Sequence, residues 1–177
     1  MASLFVVFYR NMNLGHPGSP DRATLEEVLV AAGARTARSF QTNGTVLLDA
    51  GNPAKVVSQA AGEFKTAAGY TDAAMVRSLD ELAEVLEGKP FEGHKDSRTY
   101  RETFTFFDGD KPLDLQLPWT NRKDDVDIIA LHDGLALSTI RKFKSSAGSP
   151  TAEIERLTGA PATTRTLGTI ERLIEFA

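Results

Sequence analysis

Three polar side chains near the start of the chain have the types and spacing to grip a ligand. Arg10 and Asn13 lie in FVVFYRNMNLG, residues 5–15, where an apolar run passes straight into Tyr9, Arg10, Asn11 and Asn13. Gln41 lies in SFQTNGTVLLDA, just ahead of the pair Asn43–Gly44. A guanidinium and two carboxamides gathered at the start of a helix favour a phosphate, a carboxylate or a polar carbonyl. A charge-assisted hydrogen bond from Arg10 is worth about 1.5–3 kcal/mol, and a helix N-terminus about 0.3–1 kcal/mol. After the costs of association, that sum suits micromolar to millimolar affinity for a small anion. The same side chains also have a structural reading, in which they satisfy loop carbonyls and hold the strand-to-helix connection.

No reaction is legible beside them, so no catalytic residue is expected. The 177 residues contain no cysteine, which excludes disulfides, thiolate nucleophiles and cysteine-ligated zinc or iron–sulfur centres. His16, His94 and His132 are far apart, and Asp124, Asp125 and Asp127 lack the spacing of a calcium loop. The serines sit in no nucleophile elbow, and neither a Walker loop nor a dinucleotide fingerprint is present. No metal and no cofactor is therefore expected. The formal net charge of −4 argues against nucleic acid as a partner, since such binders carry a basic field. Any polyanion contact has to be local. The one candidate run is IRKFKSSAGSP, where Arg141, Lys142 and Lys144 surround Phe143, and its plainer reading is a solvated strand end. Trp119 either anchors a partner or covers the core. No segment approaches the length that spans a bilayer, and the first apolar run is too short for a signal peptide. A soluble cytoplasmic protein is expected.

The elements that must position these groups follow from apolar periodicity and breakers. Leu4–Tyr9 is apolar on both faces and reads as a central strand. Ser19 and Pro20 open a helix with Leu25, Val28, Leu29 and Ala32 inward, ended by Gly33. A hairpin follows, Ala37–Gln41 and Thr45–Leu48, with Asn43–Gly44 as a two-residue type I′ turn. Asn52 and Pro53 open a second helix that ends at Gly69. AAMVR is a strand, and Ser78 with Glu81 makes a capping box for a helix ending at Gly88. The order β-α-β-β-α-β is the ferredoxin-like split unit.

The breaker-rich GKPFEGHKDS places a boundary after residue 88. Residues 89–177 are less regular: a strand at YRETFTFF, a hairpin turning at Asp133–Gly134, a helix opened by Ser149 and Pro150, and a last helix at TLGTIERLIEFA. They read as a degraded version of the first half. The expected fold class is α+β, two similar ferredoxin-like subdomains (1–88 and 89–177) of mainly antiparallel sheets with helices packed on them. In the split unit the sheet order is 4-1-3-2 with antiparallel neighbours. The end of the first strand then lies beside the turn between the second and third, at the edge where the first helix begins. Arg10, Asn13 and Gln41 should meet there.

The stretches YRNMNLG, SFQTNGTVLLDA, MVRSLDELAEVLEGKPF and ATTRTLGTIERL resemble, in order and spacing, the bacterial domain of unknown function 1697 family. The resemblance implies two similar ferredoxin-like α+β subdomains with strands exchanged between them, and no established activity. The chain departs from the family's usual glycines at Asn11 and His16. It also departs from Ser-Gly-Asn at Thr42, Asn43 and Gly44, and from Asn-Trp-Asn at Thr166, Leu167 and Gly168. By resemblance, Thr163, Thr164 and Arg165 approach the same polar region as Arg10. Read from the residues, they are the entrance to the last helix, with Thr164 or Thr166 as its N-cap. Two function classes lead: a small-molecule or anion-binding module using Arg10, Asn13, Gln41, Thr164 and Arg165, and a structural or protein-interaction unit without a ligand. Nucleic-acid binding through the sheet face is the third.

Overall fold

The computed structural model describes residues 3–177. Two compact units divide within the third helix: one reaches to Ala83 and takes in Phe176 and Ala177, the other is Glu84–Glu175. In the first unit β1 (Leu4–Tyr9) is rich in valine and phenylalanine, which suit a pleated surface. Val6, Val7 and Phe8 are fully buried, so both faces of β1 are covered, and the missing alternation in its sequence has that cause. α1 (Arg22–Ala31) begins two residues later than Ser19 and Pro20 imply. Asp21 is its N-cap and accepts from the Thr24 N–H at 2.8 Å. The Ser19 hydroxyl is occupied elsewhere, accepting from the Asn13 N–H at 2.9 Å.

β2 (Thr36–Phe40) and β3 (Thr45–Asp49) pair antiparallel, then α2 (Pro53–Ala68) runs from its Asn52 cap to the left-handed Gly69. β4 (Ala74–Ser78) passes directly into α3 (Leu79–Glu87), whose first turn is capped by the Ser78 hydroxyl. The sheet order is β2-β3-β1-β4, all antiparallel, as expected. Leu25 and Leu29 of α1 and Val56, Ala60 and Phe64 of α2 form one core with Val7, Tyr9, Val46 and Leu48 of the sheet. Each such side chain contributes about 1.5–3 kcal/mol through burial.

The β2–β3 connection corrects the expected type I′ turn. Phe40 pairs with Thr45, so four residues form the loop, with positive φ at Gln41 and Gly44 and not at Asn43. Gly44 is required by close approach as well as by its φ of 77°. A Cβ there would lie 2.8 Å from the Met12 Cβ and 2.9 Å from the Tyr9 Cβ.

The second unit repeats the plan with one replacement. Its strands are β5 (Arg101–Phe107), β6 (Trp119–Thr120), β7 (Val126–His132), β8 (Leu135–Ile140), β9 (Lys142–Phe143), β10 (Ser146–Ala147) and β11 (Ala162–Thr166). Its helices are α4 (Pro150–Thr158) and α5 (Leu167–Phe176), the last residue of α5 being counted with the first unit. The sheet order β11-β5-β8-β7 matches β4-β1-β3-β2, with β6 added at the edge. The place of α1 is taken by residues 108–118, where Pro112 and Pro118 deny a helix its backbone hydrogen bonds. Trp119 is half-buried and packs against the core of Val126, Ile128 and Ile154. Each sheet is built from strands of its own unit, so the strand exchange implied by resemblance is not found among the described residues. Thr163–Arg165 correct another expectation. They lie in β11, paired to Phe106–Phe104 of β5, because threonine suits a strand face better than a helix entrance. Thr166 is the residue that caps α5, accepting from the Thr169 N–H at 3.3 Å. No helix among the described residues is long and apolar enough to cross a membrane.

The two kinds of glycine predict opposite outcomes. Gly44→Ala should lower stability by about 2–4 kcal/mol, combining left-handed strain with overpacking. Gly62, inside α2 with open space around it, should gain about 0.5–1 kcal/mol as alanine. Urea unfolding of both variants checks the signs.

Candidate functional site

The end of β1 is held from both sides. Toward the hairpin, the Tyr9 N–H donates to the Gly44 carbonyl at 2.9 Å and the Leu14 N–H to the Thr42 carbonyl at 2.8 Å. α1 starts at the same edge. Arg22 donates to the carbonyls of Ser39 (2.7 Å) and Gln41 (2.8 Å), and Glu26 accepts from the Ser39 N–H. Asn13 and Gln41 therefore share this edge as expected. Their carboxamides are exposed and make no hydrogen bond among the described residues.

Toward β4, the Arg10 N–H donates to the Ala73 carbonyl at 2.9 Å. The guanidinium follows the backbone and pairs with Asp72, its Nη1 reaching both carboxylate oxygens at 3.0 and 3.2 Å. The Asn11 carboxamide donates to the same carboxylate at 3.1 Å. The Tyr70 hydroxyl donates to the Arg10 carbonyl at 2.6 Å. Asn11 adopts φ 54°, a left-handed conformation that asparagine tolerates better than most residues.

Charge at this edge is compensated in part: Arg10 has a carboxylate partner, and Arg22 meets only backbone carbonyls. Arg10 leans away from the hairpin toward a carboxylate, and the first turn of α1 already receives Asp21. The backbone hydrogen bond from Thr24 holds the Asp21 carboxyl below the usual aspartate range. Sequence reasoning missed Asp72 and Tyr70. The 4-1-3-2 order carries the signal for both, because it gives β1 a second neighbour whose entry loop is Tyr70–Ala73. Beside Asp72 lies a cavity of about 180 Å³ lined by Tyr9, Val57, Ala61, Phe64 and Tyr70. Tyr9 meets Phe64 and Tyr70 edge to face, with centroids 5.6 and 5.9 Å apart. Burial, together with Tyr70, pushes the Tyr9 phenol above its ordinary range, so it stays protonated.

Thr164 and Arg165 belong to the second unit and are engaged within it. The Thr164 hydroxyl is shared with Thr105 (2.9 Å) and Thr151 (2.7 Å). Arg165 is buried and donates to the Thr163 hydroxyl at 2.7 Å and the Thr164 carbonyl at 3.0 Å. The basic run also divides. Arg141 is 4% exposed and turns inward. Its Nε donates to the Asp124 carbonyl (2.6 Å), Nη1 to the Asp127 carboxylate (2.7 Å) and Nη2 to the Asp124 carboxylate (2.9 Å). A guanidinium thus stands between the carboxylates of Asp124 and Asp127. Asn121 ties in Asp125, and a Cβ on Gly148 would overlap the Asp125 carbonyl.

Residues 2–135 match the protein family described as Protein of unknown function (DUF1697). The fold resembles that of a conserved bacterial protein from Streptococcus pneumoniae. The two share 15% sequence identity and a TM-score of 0.63, over 99% of this chain and 98% of that one, which is a likeness of fold alone. No curated protein matches the sequence.

The Arg141 cluster predicts a mutational and a pH outcome. Arg141→Ala should cost about 1.5–3 kcal/mol, since it removes a buried guanidinium with charge-assisted hydrogen bonds to Asp127 and Asp124. Arg141→Lys should recover little of it, because one ammonium cannot reach both aspartates. The hydrogen bond from Arg141 holds the Asp127 pKa below the ordinary 3.8. The unfolded chain therefore takes up this proton first, and the stabilisation is present above pH 4 and lost as pH falls through the folded value. Acid unfolding of the parent and of Asp127→Asn should differ in that window, the variant showing the flatter profile.

Proposed function

We propose, because this chain belongs to the DUF1697 family of proteins of unknown function and so has no activity to inherit, that it is a small-molecule-binding module with a polar site at the edge where β1 meets the β2–β3 loop. In this reading it is a cytoplasmic protein, and its ligand is uncharged and polar. One observation carries the narrowing. Arg10 is paired with Asp72, Asp21 is held by the first turn of α1 and Arg22 is occupied by two backbone carbonyls, while the carboxamides of Asn13 and Gln41 remain exposed. A carboxamide offers two donors and an acceptor and so matches hydroxyl, amide and nucleobase edges without preferring charge.

The structural reading has its own support. Tyr70, Arg10 and Asn11 together anchor the loop before β4, and that anchoring needs no ligand.

Thermal unfolding against sugars, nucleosides, small amides, phosphate and acetate separates the two. An uncharged polar compound at 100 times its Kd should add about 2.7 kcal/mol. The double variant Asn13→Ala, Gln41→Ala should lose that gain while melting like the parent. Stabilisation by phosphate or acetate would contradict the narrowing. If no compound in the panel stabilises the parent and Arg10→Ala lowers its melting point, the structural reading replaces the ligand site.

A further inference from the structure

Three cations that lack a carboxylate partner among the described residues lie on or beside the β9–β10 hairpin. Arg101, Lys142 and Lys144 are exposed and join no ion pair. The aspartates around Arg141 are engaged by guanidiniums other than that of Arg101. Asp124 and Asp127 are bound by Arg141, and Arg98 faces Asp96 and Asp124. The guanidinium carbon of Arg101 lies 4.3 Å from the centroid of the Tyr100 ring, and the Lys142 ammonium lies 5.0 Å from the same centroid. Tyr100 is 38% exposed, and Phe143, at the tip of the β9–β10 hairpin, is 50% exposed. The sequence pairs Phe143 with its neighbouring lysines, but Tyr100 and Arg101 reach the cluster only through the fold, where the Tyr100 N–H donates to the Ile140 carbonyl at 2.7 Å.

We propose that this surface, the β9–β10 hairpin with Tyr100 and Arg101, docks single-stranded nucleic acid. Charge complementarity points that way: three exposed cations outside any ion pair stand on one hairpin and its neighbour, on a chain whose formal net charge is −4. The ring of Tyr100 holds two cations in place without neutralising them, which leaves their donors available to successive phosphates. Phe143 supplies an open aromatic face for a base, and stacking of that kind tolerates any sequence. A duplex would hide its base faces, so the ligand is a single strand. The sheet faces do not serve instead, because β1, β5 and β8 are buried on both sides over most of their length. One exposed phenylalanine on two-residue strands is too little apolar surface to enter a bilayer.

Fluorescence anisotropy of the full chain with labelled oligo-dT and oligo-U of about 15 nucleotides tests the proposal. Micromolar binding is expected at about 50 mM salt, with log K falling against log salt at a slope of about −2, as three phosphate contacts to a single strand require. Phe143→Ala should weaken binding by about tenfold. Lys142→Glu with Lys144→Glu should abolish it, and the melting temperature of both variants should match the parent. No binding at low salt, equal binding to duplex DNA, or binding to phosphatidylserine vesicles in place of oligonucleotides would overturn it. So would a Phe143→Ala variant that binds as tightly as the parent.

Discussion

Antiparallel pairing of β1 with β3 on one side and β4 on the other decides what its last residues meet. Phe8 stands opposite both Thr45 and Met75, so the chain leaves β1 between the hairpin loop and the entry to β4. A one-residue slip would turn Val7 and Tyr9 out of the core formed with α1 and α2. The register is therefore fixed by burial, and the polar edge inherits its geometry from it. Gly44 marks how tightly this is done, with no room for a Cβ between it and Met12. The second unit repeats the device: the Phe107 N–H donates to the Gly134 carbonyl at 3.0 Å, as the Tyr9 N–H does to Gly44.

A second regularity follows from that crowding. Where loops converge, exposed water is scarce, and an uncompensated charge is costly. Arg10 meets Asp72, Arg22 meets two carbonyls, and Arg141 meets Asp124 and Asp127. At the end of β1 the carboxamides of Asn13 and Gln41 stay exposed. Arg101 and the lysines of the β9–β10 hairpin stand exposed instead.

Much of this was legible in the sequence, and the misses have physical reasons. β1, α2, the sheet order and the direction of β1 follow from apolar runs, from the Asn52 cap and from Gly69, because each signal is local. The start of α1 is misplaced because Ser19 suits an N-cap, and only the fold shows its hydroxyl taken by Asn13. Asn43–Gly44 favours a two-residue turn by itself, yet the need to pass close to Tyr9 makes the loop longer. Thr163–Arg165 carry no apolar stripe and read as a helix entrance, whereas their partners in β5 make them a strand. In the run Arg141, Lys142, Lys144, nothing local tells which base turns inward. Asp72 escapes notice because a carboxylate sixty-two positions from Arg10 becomes its neighbour only through the β1–β4 pairing.

The compensation of Arg10 by Asp72 is the point on which the reading of the edge turns, and a double-mutant cycle measures it. The pair is partly exposed, at 26% and 28% of the two side chains, so solvent screens it. Arg10→Ala and Asp72→Ala, singly and together, should give a coupling energy of about 0.5–1 kcal/mol that shrinks with added salt. Strictly additive effects of the two substitutions, at any salt concentration, would contradict the compensation of Arg10 by Asp72.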